Sequence, residues 1–166
     1  MGTKSSIAFV RVCAIAVVTL VGSGSFAEAI PVNGLQAPAE ILIDEWGVPH
    51  IYANTHYDAF VVQGFNAARD RLWQMDLWRR RGLGRLSAVL GPGHIEQDRA
   101  NRLFLYRGDM YREWLAYGSD AKRIATAFVA GINAYMDYLA TQPDAMPPEF
   151  GILDYQPERW QPEDVV

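Results

Sequence analysis

The chain has 166 residues, of which 50% are hydrophobic, 12% aromatic and 20% charged, and this composition excludes a disordered or low-complexity chain. The 15 Lys and Arg against 19 Asp and Glu give a formal net charge of -4, which argues against nucleic acid or an anionic membrane as partner. The single cysteine, Cys13, excludes an internal disulfide framework, a cysteine-rich zinc site and a CxxC redox motif.

The N-terminus has the pattern of a secretory signal peptide. Two basic residues precede an apolar run over 12–21, and Ala27-Glu28-Ala29 has the small-x-small form that signal peptidase recognises. We therefore predict that residues 1–29 are removed by cleavage between Ala29 and Ile30, and that the protein is periplasmic or secreted. The apolar core of about ten residues is shorter than the ~20 that cross a bilayer, so we expect no permanent membrane anchor.

A linker and a hairpin are predicted next. Residues 30–39 are rich in Pro, Gly, Asn and Ala and are typical of a linker, which makes residues 40–166 the folded region. Glu40–Glu45 and Val48–Ala53 are short apolar runs on either side of Trp46-Gly47, and this pattern predicts a β-hairpin. Pro49 has no amide donor, so the second strand is expected to pair on one side only.

Helical periodicity begins after Thr55. We predict a helix from about Tyr57 to Arg81 that ends at Gly82 and Gly84. Large side chains outside the main stripe, such as Trp73 and Trp78, indicate that this helix is covered on more than one side. Its apolar stripe consists of Tyr57, Val61, Phe65, Ala68, Leu72 and Met75.

Further helices are predicted towards the C-terminus. Leu83–Leu90 is expected to form a short helix closed by Gly91-Pro92-Gly93, and His94–Tyr117 an irregular helical segment. Ser119 is the predicted N-cap of a last long helix, which Pro143 stops. The irregular segment is predicted to align Leu103, Tyr106, Met110 and Trp114, and the last helix to align Ile124, Phe128, Gly131, Ile132, Tyr135 and Leu139.

The segment Pro143–Val166 contains five prolines together with Phe150, Tyr155 and Trp160. Proline-rich segments are often disordered, but large aromatic side chains gain most from burial. We therefore expect this segment to pack against the rest of the fold.

Candidate metal and acid/base residues are few. His50 and His56 are six residues apart, which is not the i, i+4 spacing of a helical zinc motif, and His94 lies in a predicted loop. Asp44 and Glu45 could meet His50 across the hairpin as an acid/base pair. Neighbouring strand residues point to opposite faces, however, so Asp44 and Glu45 cannot both face His50. Solvated turn charges are the favoured interpretation of these residues.

The remaining candidates also have structural interpretations. Gly82-Leu83-Gly84 resembles part of a phosphate loop but follows a helix and lacks the Gly-Lys-Ser ending. Ser87 and Ser119 are the only serines after residue 29, and neither lies in a Gly-x-Ser-x-Gly turn. Structural ion pairing is favoured over nucleic-acid binding for the basic cluster, which consists of Arg69, Arg71, Arg79, Arg80, Arg81 and Arg85.

Several ordered blocks of the sequence resemble the beginning of the α chain of the penicillin acylase family. These blocks span nearly all of Glu40 to Val166. They are Asp44–Ala53 (DEWGVPHIYA), Gly64-Phe65 with Ala68–Asp76 (ARDRLWQMD), Arg79-Arg80, Gly84–Leu86 with Val89–Gly91, Gly131–Tyr135 (GINAY) and Arg159–Val165 (RWQPEDV).

The resemblance implies an α+β fold, in which a mostly helical α-chain fragment contributes its N-terminal hairpin to the αββα core of an N-terminal-nucleophile hydrolase. Such proteins are exported zymogens that cut themselves into an α and a β chain. They hydrolyse a linear amide in a β-lactam side chain, an acyl-homoserine lactone or a lipopeptide, and so bear on antibiotic metabolism. The nucleophile is the serine at the new N-terminus of the β chain, whose α-amino group serves as the base.

The resemblance also indicates what these 166 residues lack. The nucleophilic serine, the oxyanion groups, most acyl-pocket residues and the ligands of those members that bind calcium are expected beyond Val166. The chain is therefore expected to be a fragment that is inactive alone, with the β chain as partner and no cofactor of its own. The alternatives are a non-catalytic exported helical module that binds a protein, and a small metal-binding protein, which the histidine spacing disfavours.

Overall fold

The chain folds as a β-hairpin followed by helices, and it is α+β as predicted. The computed structural model describes residues 29–166, so the predicted signal sequence up to Glu28 lies outside the described residues. Pro31–Val166 form one compact unit. Its elements are β1 (Glu40–Ile43), β2 (Pro49–Tyr52), α1 (His56–Gly82), α2 (Ser87–Leu90), α3 (Ile95–Phe104), α4 (Met110–Ala116), α5 (Ala121–Thr141) and α6 (Pro148–Ile152), with 3₁₀ turns at Pro92–His94, Pro143–Ala145 and Pro162–Val165.

The predicted hairpin is confirmed, with shorter strands. β1 and β2 pair antiparallel, with Ile41 opposite Ile51 and Ile43 opposite Pro49. Pro49 thus ends the ladder, and within residues 29–166 its strand pairs only with β1. Gly47 adopts a φ of 78°, a left-handed conformation that costs glycine little and lets the chain reverse between the strands.

The start of α1 is capped from within and tied to the preceding segment. The Thr55 hydroxyl accepts a hydrogen bond from the Asp58 amide at 3.0 Å, which satisfies one of the free amides of the first turn. The fully buried Asp58 carboxylate in turn accepts from the Thr55 hydroxyl and from the Gln36 amide, at 2.9 and 2.7 Å. Residues 29–39 contain no helix or strand, but the bond from the Gln36 amide to Asp58 anchors them to α1.

The core lies between α1 and α5. The predicted stripe of α1 is buried from Val61 to Leu72, whereas Tyr57 and Met75 at its ends are half-buried. Phe65 packs edge-on against Tyr135 of α5, with ring centroids 5.3 Å apart. α1 continues through Arg71, whose φ of -144° and ψ of 22° are not helical.

Two glycines let α1 and α5 approach each other at the backbone. A Cβ on Gly64 would lie 1.9 Å from the Phe128 carbonyl oxygen, and one on Gly131 would lie 1.8 Å from the Val61 carbonyl oxygen. No side chain fits at such distances. The contact is reciprocal, because each glycine faces the backbone of the other helix.

The region between α1 and α5 differs from its predictions in two ways. The short helix covers only Ser87–Leu90, because Gly84 takes a left-handed φ of 63° and interrupts the chain just after α1. The predicted alignment of Leu103, Tyr106, Met110 and Trp114 is also wrong, since Leu103 is 81% exposed while Trp114 is buried. The extended backbone of Leu105 ends α3 and breaks the register before α4.

The predicted N-cap of the last long helix is displaced by one residue. α5 begins at Ala121, so Asp120 and not Ser119 occupies the capping position, and it makes no side-chain capping bond. The C-terminal segment packs as predicted, with Phe150 and Trp160 buried. α1 is therefore covered by α5 and by this segment, while Trp78 remains exposed.

Candidate functional site

The hairpin turn brings Asp44 and His50 together. One Asp44 oxygen lies 3.0 Å from His50 Nε2, and the other accepts from the Trp46 and Val48 amides at 2.9 and 2.8 Å. The hydrogen bond with His50, followed by that from the Val48 amide, lowers the pKa of the Asp44 carboxyl. The His50 side chain is exposed and Asp44 is half-buried, so the pair lies at the surface and braces the turn, in keeping with the interpretation as turn charges.

Within residues 29–166, neither of the other histidines forms an ion pair with a carboxylate. His94 Nδ1 lies 3.4 Å from the Gln97 side-chain oxygen, and His56 is exposed at the start of α1. Within residues 29–166 no three His, Cys, Asp or Glu side chains form a group that could hold a metal ion.

Neither serine is placed as a nucleophile. The Ser87 hydroxyl donates to Asp98 at 2.5 Å, and Asp98 also accepts from the Ser87 and Leu86 amides. Burial alone would raise the pKa of the Asp98 carboxyl, but these hydrogen bonds outweigh it and lower the pKa. Asp98 thereby holds the chain at α2, and Ser119 is exposed.

Of the two glycines in the weak phosphate-loop resemblance, Gly84 has a packing role. A Cβ on Gly84 would lie 2.5 Å from the Asp98 carbonyl oxygen, so α3 packs against this turn. The turn follows the end of α1, whereas a phosphate loop leads into the free backbone amides at the start of a helix.

The C-terminal end of α1 carries the densest ionic cluster of the described residues. Arg80 Nε donates to Asp76 at 2.7 Å, and both side chains are at least 95% buried. Arg80 also lies 3.4 Å from Glu158, to which Arg85 donates at 2.9 Å. These contacts support structural ion pairing as the role of this part of the basic sequence.

Arg79 and Asn133 bind the backbone of the C-terminal segment. Arg79 Nη1 donates to the carbonyl oxygens of Glu158 and Arg159, each at 3.1 Å, and its guanidinium lies 4.9 Å from the centre of the Trp160 ring. Asn133 donates to the Trp160 carbonyl at 3.0 Å and accepts from the Trp160 amide at 2.9 Å. Side chains of α1 and α5 thus make the hydrogen bonds to this backbone that a neighbouring strand makes in a β-sheet. We call this arrangement of Arg79 and Asn133 on residues 158–160 the backbone clamp.

Burial and charge shift the pKa values in the cluster. Burial would raise the pKa of Glu158, but the hydrogen bond from Arg85 and the charges of Arg80 and Arg79 outweigh it and lower the pKa. Burial would lower the pKa of Arg80, but the hydrogen bond and charge of Asp76 raise it. Burial and the nearby Asp76 raise the pKa of Tyr155 to about 12. Glu158 and Arg80 are therefore charged at neutral pH, whereas the Tyr155 hydroxyl stays protonated.

Sequence reasoning did not assign roles to Asn133 or Glu158. Asn133 lies beside the buried stripe of α5, where a polar side chain needs a partner, and this is the signal that could have found it. Asp76 precedes Arg80 by four residues, the spacing of a helical ion pair. Glu158 gave no such signal, because its partners lie more than 70 residues earlier.

The family model for penicillin amidase matches residues 38–166. The chain belongs to the penicillin amidase family. The sequence is 39% identical over 134 residues to penicillin acylase 2 proenzyme of a Pseudomonas species, an alignment that covers 81% of this chain and 17% of that protein. It is 33% identical to penicillin G acylase of Escherichia coli over 83% of this chain and 17% of that protein.

Two further similarities agree with this family. Acyl-homoserine lactone acylase QuiP of Pseudomonas aeruginosa is 33% identical over 81% of this chain and 16% of that protein. The solved structure of a thermostable penicillin G acylase from Alcaligenes faecalis matches with a TM-score of 0.71 at 34% identity, covering 78% of this chain and 68% of that chain. The chain thus spans about a sixth of the length of these curated relatives. No helix within residues 29–166 is long and apolar enough to cross a membrane.

Proposed function

We propose that this chain forms the beginning of the α chain of an exported amidohydrolase precursor that cuts itself into an α and a β chain. The observation that carries the proposal is the family match over residues 38–166, a range that contains all the motif blocks named in the sequence analysis. The relatives' names, penicillin acylase and acyl-homoserine lactone acylase, support a linear amide as substrate. A β-lactam side chain, an acyl-homoserine lactone and a lipopeptide are the candidate classes.

The proposed chemistry is acyl transfer to an N-terminal serine of the β chain. Its α-amino group takes the hydroxyl proton while the serine oxygen attacks the amide carbonyl. The resulting oxyanion is held by hydrogen-bond donors, the amine leaves with a proton, and water then hydrolyses the acyl-serine ester. An α-amino group has a pKa of about 7.7–8.0, so a useful fraction is unprotonated at neutral pH.

In this proposal the described residues serve the scaffold. The hairpin would join the central sheet of the αββα core, because a two-stranded hairpin alone is marginally stable. Its exposed side chains include Leu42, Val48 and Tyr52. The β chain of the same precursor is the proposed partner, and no nucleic acid or membrane anchor is involved.

Activity separates this proposal from the alternative of a non-catalytic exported module. The gene is extended beyond codon 166, the product is expressed, and hydrolysis of a chromogenic phenylacetyl anilide and of acyl-homoserine lactones is measured. We expect turnover and two chains by mass spectrometry from the extended protein, and none from the 166 residues alone. Ser87→Ala and Ser119→Ala are the controls and should leave turnover unchanged. A genuine stop codon after Val166, with a stable folded product, would favour the module.

Export is tested separately. N-terminal sequencing of the exported protein should start at Ile30, because Ala29 fits the small-residue pocket of signal peptidase. Ala29→Leu should slow processing, whereas Ile30→Val should not. Exported protein that still begins at Met1 would contradict the proposal.

A further inference from the structure

An open apolar groove lies beside the backbone clamp. It has a volume of about 730 Å³ and runs between the end of α1, the α3–α4 connection and the last 3₁₀ turn. Trp78 and Phe104 line it and are 67% and 88% exposed, which is unusual for aromatic side chains of a soluble domain. The other lining residues include Met75, Leu83, Leu105, Tyr106, Met110 and Tyr117.

The C-terminal segment forms one wall of this groove. Trp160 and Val166 both line it, and Trp160 is held by the backbone clamp through Asn133 and Arg79. The following turn is fixed as well, because the Gln161 amide donates to Asp164 at 2.7 Å and Glu163 accepts from the Trp114 indole at 3.3 Å. Residues 160–164 are thus held in place by hydrogen bonds, and the chain after them reaches the groove at Val166.

We propose that the groove is the docking site of the polypeptide segment that directly follows Val166 in the full-length protein. This inference rests on the proposed function, in which the chain is the start of a longer precursor. The curated relatives are several times longer than the part matched here, so such a segment is expected. Tethering at Val166 gives that segment a high effective concentration at the groove.

The groove also defines the chemistry of its occupant. The aromatic and Met side chains call for an apolar face, whereas Glu113 and Glu163 at the groove place negative charge beside it. Arg79, the basic side chain in the lining, is already paired with Glu158 and Asp164. An amphipathic segment with apolar residues on one face and a basic residue at its edge fits this surface.

Two exposed glycines provide a matched test. A Cβ on Gly82, which lines the groove, or on Gly151, which lies on α6 away from it, would meet no atom within 4 Å. Gly82→Cys and Gly151→Cys therefore add a thiol without removing a contact. Both are made in the full-length protein with every other cysteine, including Cys13, replaced by serine.

The rate of thiol labelling is measured in the native protein and in urea. We expect Gly82→Cys to react at least about tenfold more slowly in the native protein than Gly151→Cys, with equal rates in urea. A benzophenone attached to Gly82→Cys should cross-link within the same molecule to the segment after Val166. Equal native rates, or a cross-link to a second copy or to a distant segment, would overturn the inference.

Amide hydrolysis is measured on the same preparations. Turnover with rapid labelling of Gly82→Cys would refute the groove inference and leave the proposed function standing. Slow labelling with the expected cross-link but no turnover would support the docking site and count against the enzymatic proposal.

Discussion

Gly131→Ala tests whether backbone contact between α1 and α5 organises the core. The added methyl would lie 1.8 Å from the Val61 carbonyl oxygen and 2.6 Å from the Phe65 amide nitrogen. Both obstacles are backbone atoms of a packed helix, so a change of side-chain rotamer cannot relieve the clash. Bringing the closest distance to about 3.0 Å requires the helices to separate by about 1.2 Å.

A separation of this size acts on the whole interface. A gap of about 0.5–1 Å already forfeits a quarter to a half of the dispersion attraction between facing atoms. Overpacking of a core costs about 1–3 kcal/mol, and the rigid obstacles place this substitution at the upper end. Alanine is favoured over glycine in a helix by about 1 kcal/mol. We therefore expect a net loss of about 2 kcal/mol from the free energy of unfolding.

The free energy of unfolding is measured by urea denaturation with far-UV circular dichroism. Gly64→Ala should reproduce the loss, because its methyl would lie 1.9 Å from the Phe128 carbonyl oxygen. Gly151→Ala is the matched control and should be neutral or slightly stabilising, since nothing lies within 4 Å. A Gly131→Ala protein within about 0.5 kcal/mol of the parent would refute the close-contact argument.

Three further predictions concern the ionic cluster and the isolated chain. Asp76→Asn should lower the free energy of unfolding in urea by about 3 kcal/mol, because it removes the buried partner of Arg80. Arg85→Ala is the control: it breaks only the exposed ion pair with Glu158 and should cost less than about 1 kcal/mol. The lowered pKa of Glu158 predicts a contribution to stability that is full above the unfolded value near 4.5 and lost as pH falls through the lower folded pKa. Glu158→Gln should flatten the pH dependence of stability in that acidic range, and an unchanged slope would contradict this. The 166-residue chain alone should bind the dye ANS and aggregate, because large apolar side chains are exposed. Supplying the β-chain region should reverse both effects. A monomer that unfolds cooperatively without ANS binding would argue for an independent module.

Local regularities of the sequence were sufficient to predict several elements. The period of the apolar residues identified α1 and α5, and the Trp46-Gly47 turn identified the hairpin, because backbone conformation and side-chain direction are coupled within a few residues. The ordered motif blocks identified the family, which the family model over residues 38–166 confirmed. Burial of Phe150 and Trp160 followed from the size of aromatic side chains.

Contacts between distant residues were decided by the tertiary structure. Glu158 meets Arg80 across 78 residues, and Asn133 meets Trp160 across 27, and neither pairing is encoded in any local spacing. The extended residue Leu105 ends α3, so Leu103 and Trp114 lie on different helices, and packing leaves Leu103 exposed while Trp114 is buried. A hydrophobic period specifies which face of a helix is apolar. Which helix packs against that face, and at what distance, depends on the packing of the two helices. Between α1 and α5 the absence of a single methyl at Gly131 decides that distance.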